Sequence, residues 1–216
     1  MKISYNELAR FVPNLRMTGR KHLLHVGCGS APKERLPECF RTGDWNEIRV
    51  DIDPAVKPDI VADLTDMSMV RSGTIDAVWS SHSLEHLEDY QVPTALVEFR
   101  RVLRPGGFAL ITTPDLEFVA KLVSEGKGDG VLYTSPAGPI TPLDMMFGHK
   151  KSIANGNHYM AHRTGFTAQR LKTKLANAGF SEVRVLPGKS YDLWAVAVAG
   201  AAATNPVPTP AGVGVR

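Results

Sequence analysis

The sequence predicts an α/β fold, a mostly parallel sheet with layers packed on both faces. Three observations lead there. Five short apolar runs with strand character follow one another between residues 23 and 113. Helical or compact crossovers separate them, as parallel neighbours require. Two further strand-like runs close the pattern, and their connection is short enough to make them antiparallel to each other.

The five runs are "LLHV" (23–26), "EIRVDI" (47–52), "DIVA" (59–62), "DAVWSS" (76–81) and "FALITT" (108–113). Leu84, Leu87, Leu96, Val97, Phe99 and Leu103 predict a helix over 83–103 with a gap near Pro93, and "RPGG" (104–107) predicts a turn before the fifth run. Upstream, Leu8, Phe11, Val12 and Leu15 predict a short helix over 4–16, broken at Pro13. The pattern weakens from about 124 to 163, where Gly and Pro are frequent. "TAQRLKTKLANAGF" (167–180) predicts an amphipathic helix with Thr167 as its cap and Gly179 at its end, followed by strands "EVRVLP" (182–187) and "LWAVAVAG" (193–200). No internal repeat or second core is visible, so residues 1–199 are expected to form one domain. The small, proline-rich 200–216 is expected to be a disordered tail.

Composition narrows the function classes. The 216 residues carry a net charge of +3, with basic residues scattered apart from "RKH" (20–22) and "HKK" (149–151), which gives no nucleic-acid footprint. The N-terminal residues lack the apolar core of a signal peptide, and no run reaches membrane-spanning length, so no membrane partner is expected. Cys28 and Cys39, the only cysteines, have no metal-ligand spacing. With no export signal they read as reduced thiols in a cytoplasmic protein.

The chemistry-bearing residues fall repeatedly at the carboxyl ends of the runs, where open parallel sheets bind ligands. Gly27 and Gly29 follow the first run, Asp51 closes the second, Asp63 follows the third, and Ser80, Ser81 and His82 follow the fourth. A glycine turn lets backbone N–H groups approach a ligand. An acidic residue ending the second strand can accept both hydroxyls of a ribose, and one after the third can accept an exocyclic adenine amine. The ordered set predicts a nucleoside-bearing cofactor. Pro32 disfavours a dinucleotide, because the last small residue of a Gly-x-Gly-x-x-Gly loop is needed for close strand–helix packing.

Over residues 20–115, and more loosely to 198, the sequence resembles the class I S-adenosylmethionine-dependent methyltransferases. "LLHVGCGSA" resembles their glycine loop, "IRVDIDP" the ribose motif and "IVADL" the adenine-side motif. "IDAVWSSHSLEHL" with "EFRRVLRPGGFALITTPD" resembles their fourth strand, helix and fifth strand. Small bacterial members with an "SH-x-LEH" signature and a late "FG…H…GF" segment are the nearest likeness. The resemblance implies a Rossmann-like three-layer sandwich, with a seven-stranded, mostly parallel sheet and an antiparallel last strand. It implies S-adenosylmethionine as cofactor, with His25, Gly27, Cys28, Gly29, Asp51, Ile52, Asp63, Leu64, Ser80, Ser81 and His86 as the cofactor-binding positions. Gly27 and Gly29 would face its methionine part. His25 stands where the family commonly has an acidic residue, although a neutral imidazole still accepts one hydrogen bond.

In-line methyl transfer needs alignment and exclusion of water, and needs a base mainly when the acceptor is a hydroxyl or a protonated amine. His162, in "HRTGF", and His82 are the catalytic candidates. Segment 124–166 is expected to be a lid or substrate insertion, with Tyr159 and Phe147 as possible acceptor-pocket walls. A small-molecule or glycan-type acceptor is expected; the sequence says nothing of oligomeric state. The alternative function is a binding or regulatory protein that keeps the fold and the cofactor without turnover. "HSLEH" (82–86) also matches the H-x-x-E-H motif of zinc peptidases. That motif needs both histidines and the glutamate on one helix, whereas His82 directly follows a strand, so no metal is expected.

Overall fold

Strand β1 (Lys21–Val26) lies inside a seven-stranded sheet, with β2 (Trp45–Asp51) and β3 (Ile60–Val61) on one side of it. On the other side come β4 (Ile75–Ser81), β5 (Leu103–Pro114), β9 (Asp192–Val198) and then β8 (Glu182–Pro187) at the far edge. The sheet belongs to a computed structural model that describes residues 19–200 except Ala31. The helix expected over 4–16, and the expected tail beyond Gly200, lie outside the described residues.

The first five strands pair in parallel, and β9 runs antiparallel to both β5 and β8. The sheet is the mostly parallel, seven-stranded one expected from the sequence, with its antiparallel last strand. The chain leaves β1 toward one edge and returns at β4 toward the other, so a crevice opens between the carboxyl ends of β1 and β4. Val26 pairs with both Val50 and Ser80, and Ser81 pairs with Thr112, which brings those ends level.

Helix α1 (Val92–Val102) buries Val92, Ala95, Leu96, Phe99 and Val102, the stripe a 3.6-residue period places on one face. Pro93 does not open a gap within a longer helix; it sits in the first turn, where its missing N–H is not needed. The segment before it is a single 3-10 turn, Leu84–His86. The expected turn "RPGG" interrupts the β4–β5 ladder, whose pairing jumps from Ile75↔Leu103 to Ala77↔Phe108.

On one face of the sheet, Leu24, Val26 and Val78 pack with Leu96, Phe99, Phe166 and Leu171. On the other face, Leu23, Phe40, Trp45, Trp79, Phe108 and Leu110 form a second core, with Phe40 edge-on to Trp45 at 5.0 Å. Residues 115–167 hold more structure than the weakened sequence pattern suggests. There are helix α2 (Leu116–Ser124), a hairpin of β6 (Tyr133–Ser135) and β7 (Gly138–Ile140), and the short helices α3 (Pro142–Phe147) and α4 (Lys150–Ala154). Capping defines α2 and α3: Asp115 accepts from the amides of Glu117 and Phe118, and Thr141 with Asp144 forms a capping box. Helix α5 (Ala168–Asn177) then begins at Thr167, whose hydroxyl accepts from the amide of Arg170 at 3.2 Å. No described helix is long and apolar enough to cross a membrane.

Candidate active site

The turn after β1 is built by close approach. Gly27 has φ +62°, and a Cβ there would stand 2.2 Å from the Ser83 hydroxyl oxygen, so only glycine fits both the backbone and the space. The Gly29 amide donates to Asp51 Oδ2 at 2.8 Å, and the Asp53 amide donates to Oδ1 at 3.0 Å. The Arg49 guanidinium donates to the Gly29 carbonyl. The half-buried Asp51 carboxylate therefore organises the loop while each oxygen keeps a further lone pair. Cys28 between the glycines is buried, and burial pushes its thiol pKa up.

His25 is buried within β1, with Nδ1 2.8 Å from Glu47 Oε1. Burial pushes the imidazole below its ordinary pKa, and the Glu47 carboxylate only partly offsets this. An acidic group therefore does adjoin position 25, contributed by β2 rather than by β1 itself. Beyond Asp51, Ile52 is exposed. Asp63 accepts from both the amide and the hydroxyl of Thr65, and Leu64 packs into the core.

At the ends of β4 and β5 lies a cavity of about 410 Å³, lined by Arg35, Leu36, Pro37, Glu38, Arg41, Trp79, Ser81, His82, Thr112, Asp192 and Trp194. Ser81 faces it, whereas Ser80 is fully buried and absent from the lining. His82 takes φ +50°, a conformation uncommon for a residue with a side chain, which turns the chain out of β4. Its Nδ1 stands 3.2 Å from Glu85 Oε1. Glu85 is only 1% exposed. Burial opposes its charge, yet His82, His86 and His162 hold its carboxyl below the usual range.

Behind His82, the 3-10 turn meets the insertion. The Glu85 carbonyl accepts from the amides of Arg163 and Thr164, and the His162 amide donates to the Phe147 carbonyl. Gly148 permits this approach: its φ is +96°, and a Cβ there would lie 2.0 Å from the Met160 carbonyl oxygen. His86 and His162 come together with ring centroids 4.9 Å apart, and His162 is outside the cavity lining. Burial pushes the His162 imidazole below its ordinary pKa. Of the expected pocket walls, Phe147 and Tyr159 are both exposed, and neither lines the cavity.

Sequence reasoning missed Glu47, Arg49 and the β9 pair Asp192 and Trp194 as parts of this region. The β9 pair could have been found only by placing the last strand beside β5, where Trp194 falls opposite Thr112.

Residues 24–111 match the sequence profile of a family described as a methyltransferase domain. Those 88 of 216 residues, running from β1 into β5, are similar to that family's domain. Solved structures of this methyltransferase architecture are similar at low sequence identity. An S-adenosylmethionine-dependent methyltransferase from Methanosarcina mazei superimposes with a TM-score of 0.57 at 14% identity, covering 93% of this chain and 100% of that one. One from Archaeoglobus fulgidus gives 0.55 at 17% identity, covering 90% and 92%. A possible exported protein from Bordetella parapertussis gives 0.55 at 15% identity over 91% of this chain, which spans 66% of that protein. At such identities the likeness speaks for the fold alone. No curated protein matches this chain in sequence.

Proposed function

We propose that the chain transfers a methyl group from S-adenosylmethionine to a small-molecule or glycan-type acceptor held in the cavity over β4 and β5. One observation carries this reading: the cavity opens at the same end of the sheet as the Gly27–Asp51 loop, and His82 and Ser81 stand in its lining. The residues fit the cofactor, because the space beside Gly29 is open and Asp51 retains acceptor capacity on both oxygens.

In this reading the backbone of Gly27, Cys28 and Gly29 passes the methionine part, and His25 with Glu47 supplies the polar contact there. Asp51 accepts from the ribose hydroxyls, Ile52 covers the adenine face, and Asp63 and Leu64 flank its edge. Ser81 closes the β4 side, and residues 124–166 form the acceptor-side insertion of a single domain over 1–199. When bound, the cofactor supplies an electrophilic methyl on a sulfonium, which leaves as neutral thioether. The chain's own contribution is alignment. Trp79, Trp194 and Leu36 exclude water, and His82, oriented through Nδ1 by Glu85, presents Nε2 to remove the proton of an acceptor hydroxyl or ammonium.

Calorimetric titration with S-adenosylhomocysteine, with NADH as control, tests the first half. Micromolar binding of the former alone is expected. Binding of NADH, or of neither, would remove the reading. An acceptor screen followed by methyl release then tests the second half.

A further inference from the structure

Glu85, His86 and His162 converge although 75 or more residues separate His162 from the other two. One ligand atom from each lies within 4.8 Å of the others'. Two further features suit the group to a metal ion. His86 Nδ1 is 3.0 Å from the Ala161 carbonyl, and His162 Nδ1 is 2.9 Å from the Met145 carbonyl. Since a carbonyl only accepts, both Nδ1 atoms carry the proton, and each ring keeps its lone pair on Nε2. That is the tautomer in which a backbone partner orients a metal-binding histidine. The Glu85 carboxylate is buried: Oε1 lies 3.2 Å from His82 Nδ1, and Oε2 has no hydrogen-bond partner among the described residues. A buried carboxylate oxygen without a donor is costly unless something cationic completes it.

We propose that Glu85, His86 Nε2 and His162 Nε2 form a binding site for a divalent transition-metal ion, of which Zn²⁺ suits the donor set best. Two imidazoles and one carboxylate are a set such ions take with coordination positions left open. Zinc bonds of about 2.0–2.2 Å place tetrahedral ligand atoms about 3.4 Å apart, which small side-chain movements reach from separations of at most 4.8 Å. This is not the peptidase motif that "HSLEH" resembles. His82 leaves β4 in a left-handed conformation and is not in the ligand set, and the third ligand arrives from the insertion. The ion would join the turn after β4 to that insertion, and it would withdraw His162 Nε2 from any role as a base. The inference does not depend on which acceptor is methylated.

The test uses the full chain, stripped by a chelator and titrated with Zn²⁺ in competition with a chromophoric chelator. Co²⁺ is titrated in parallel and followed by its visible absorption. One Zn²⁺ per chain is expected, with affinity lowered more than about tenfold in His162→Ala and His86→Ala and unchanged in His22→Ala. Co²⁺ should show the intense bands of a four- or five-coordinate ion in the wild type and lose them in His162→Ala. Thermal melting without metal checks that the variants fold. Should His162→Ala fail that check, His162→Gln takes its place. Wild-type binding no tighter than in either ligand variant, or an octahedral Co²⁺ spectrum that the variants leave unchanged, overturns the proposal.

Discussion

The Gly29 amide donates to Asp51 Oδ2 across 2.8 Å, so the loop after β1 is held by the residue that ends β2. Asp51→Ala should therefore weaken S-adenosylhomocysteine binding twice over, through the ribose and through the loop. Hydrogen bonds to a charged group contribute about 1.5–3 kcal/mol each, which predicts a loss of at least about tenfold by calorimetry. Asp51→Asn, which keeps one carbonyl oxygen, should lose less.

Gly27→Ala should be worse than its size suggests. The added methyl meets Ser83 Oγ at 2.2 Å and Ser83 Cβ at 2.7 Å in a backbone that side chains avoid. A destabilisation of about 2–3 kcal/mol is expected from overpacking, together with loss of S-adenosylhomocysteine affinity. Chemical denaturation of the variant measures the first and calorimetry the second.

His82→Ala should separate chemistry from binding. With an acceptor that must lose a proton, kcat should fall by about 10²–10⁴ while S-adenosylhomocysteine affinity stays within about twofold. Methyl-release kinetics beside a calorimetric titration give both values. An unchanged kcat would remove His82 from the proton path.

Asp76 holds the opposite end of the sheet. Its Oδ1 lies 2.6 Å from Arg104 Nε, and its Oδ2 accepts from the His22 amide at 2.7 Å. The carboxylate is almost wholly buried. Asp76→Ala removes a buried partner from Arg104 and the acceptor of the His22 amide, and should cost about 1.5–3 kcal/mol in denaturant unfolding, with the cofactor end untouched in any chain that remains folded.

His25 predicts the direction of a pH effect. Burial holds its folded-state pKa below the ordinary 6.5, so the unfolded chain takes up a proton first as the pH falls. Its contribution to stability is complete above about pH 6.5 and is lost from there down toward the folded-state value. The slope is at most about 1.4 kcal/mol per pH unit. Unfolding free energies of wild type and His25→Gln, compared at pH 7 and 5.5, should show the wild type losing more.

The placement of the glycines and carboxylates at strand ends was legible because its determinants are local. Gly27, Gly29, Asp51 and Asp63 each sit at the end of an apolar run, and a period-two pattern finds such ends. Glu47 beside His25 was not legible, since it depends on how β2 is registered against β1, with Leu23 opposite Glu47. The insertion was illegible for a different reason. Its helices α3 and α4 are too short for periodicity and depend on caps such as Thr141 and Asp144. The meeting of Glu85 with His162 is made by tertiary hydrogen bonds that no spacing encodes.

Strand β9 carries a consequence for how the protein is made. It slots between β5 and β8, and Asp192 and Trp194 on it form part of the cavity wall. During synthesis, strands β1 to β5 can pair as they emerge, but the outer edge of β5 stays bare until residues 192–198 have been translated. Through that interval the nascent chain offers the ribosome's surroundings an apolar edge running from Phe108 to Thr113, open to any passing strand. The cavity and the protection of that edge are thus completed by the same late event.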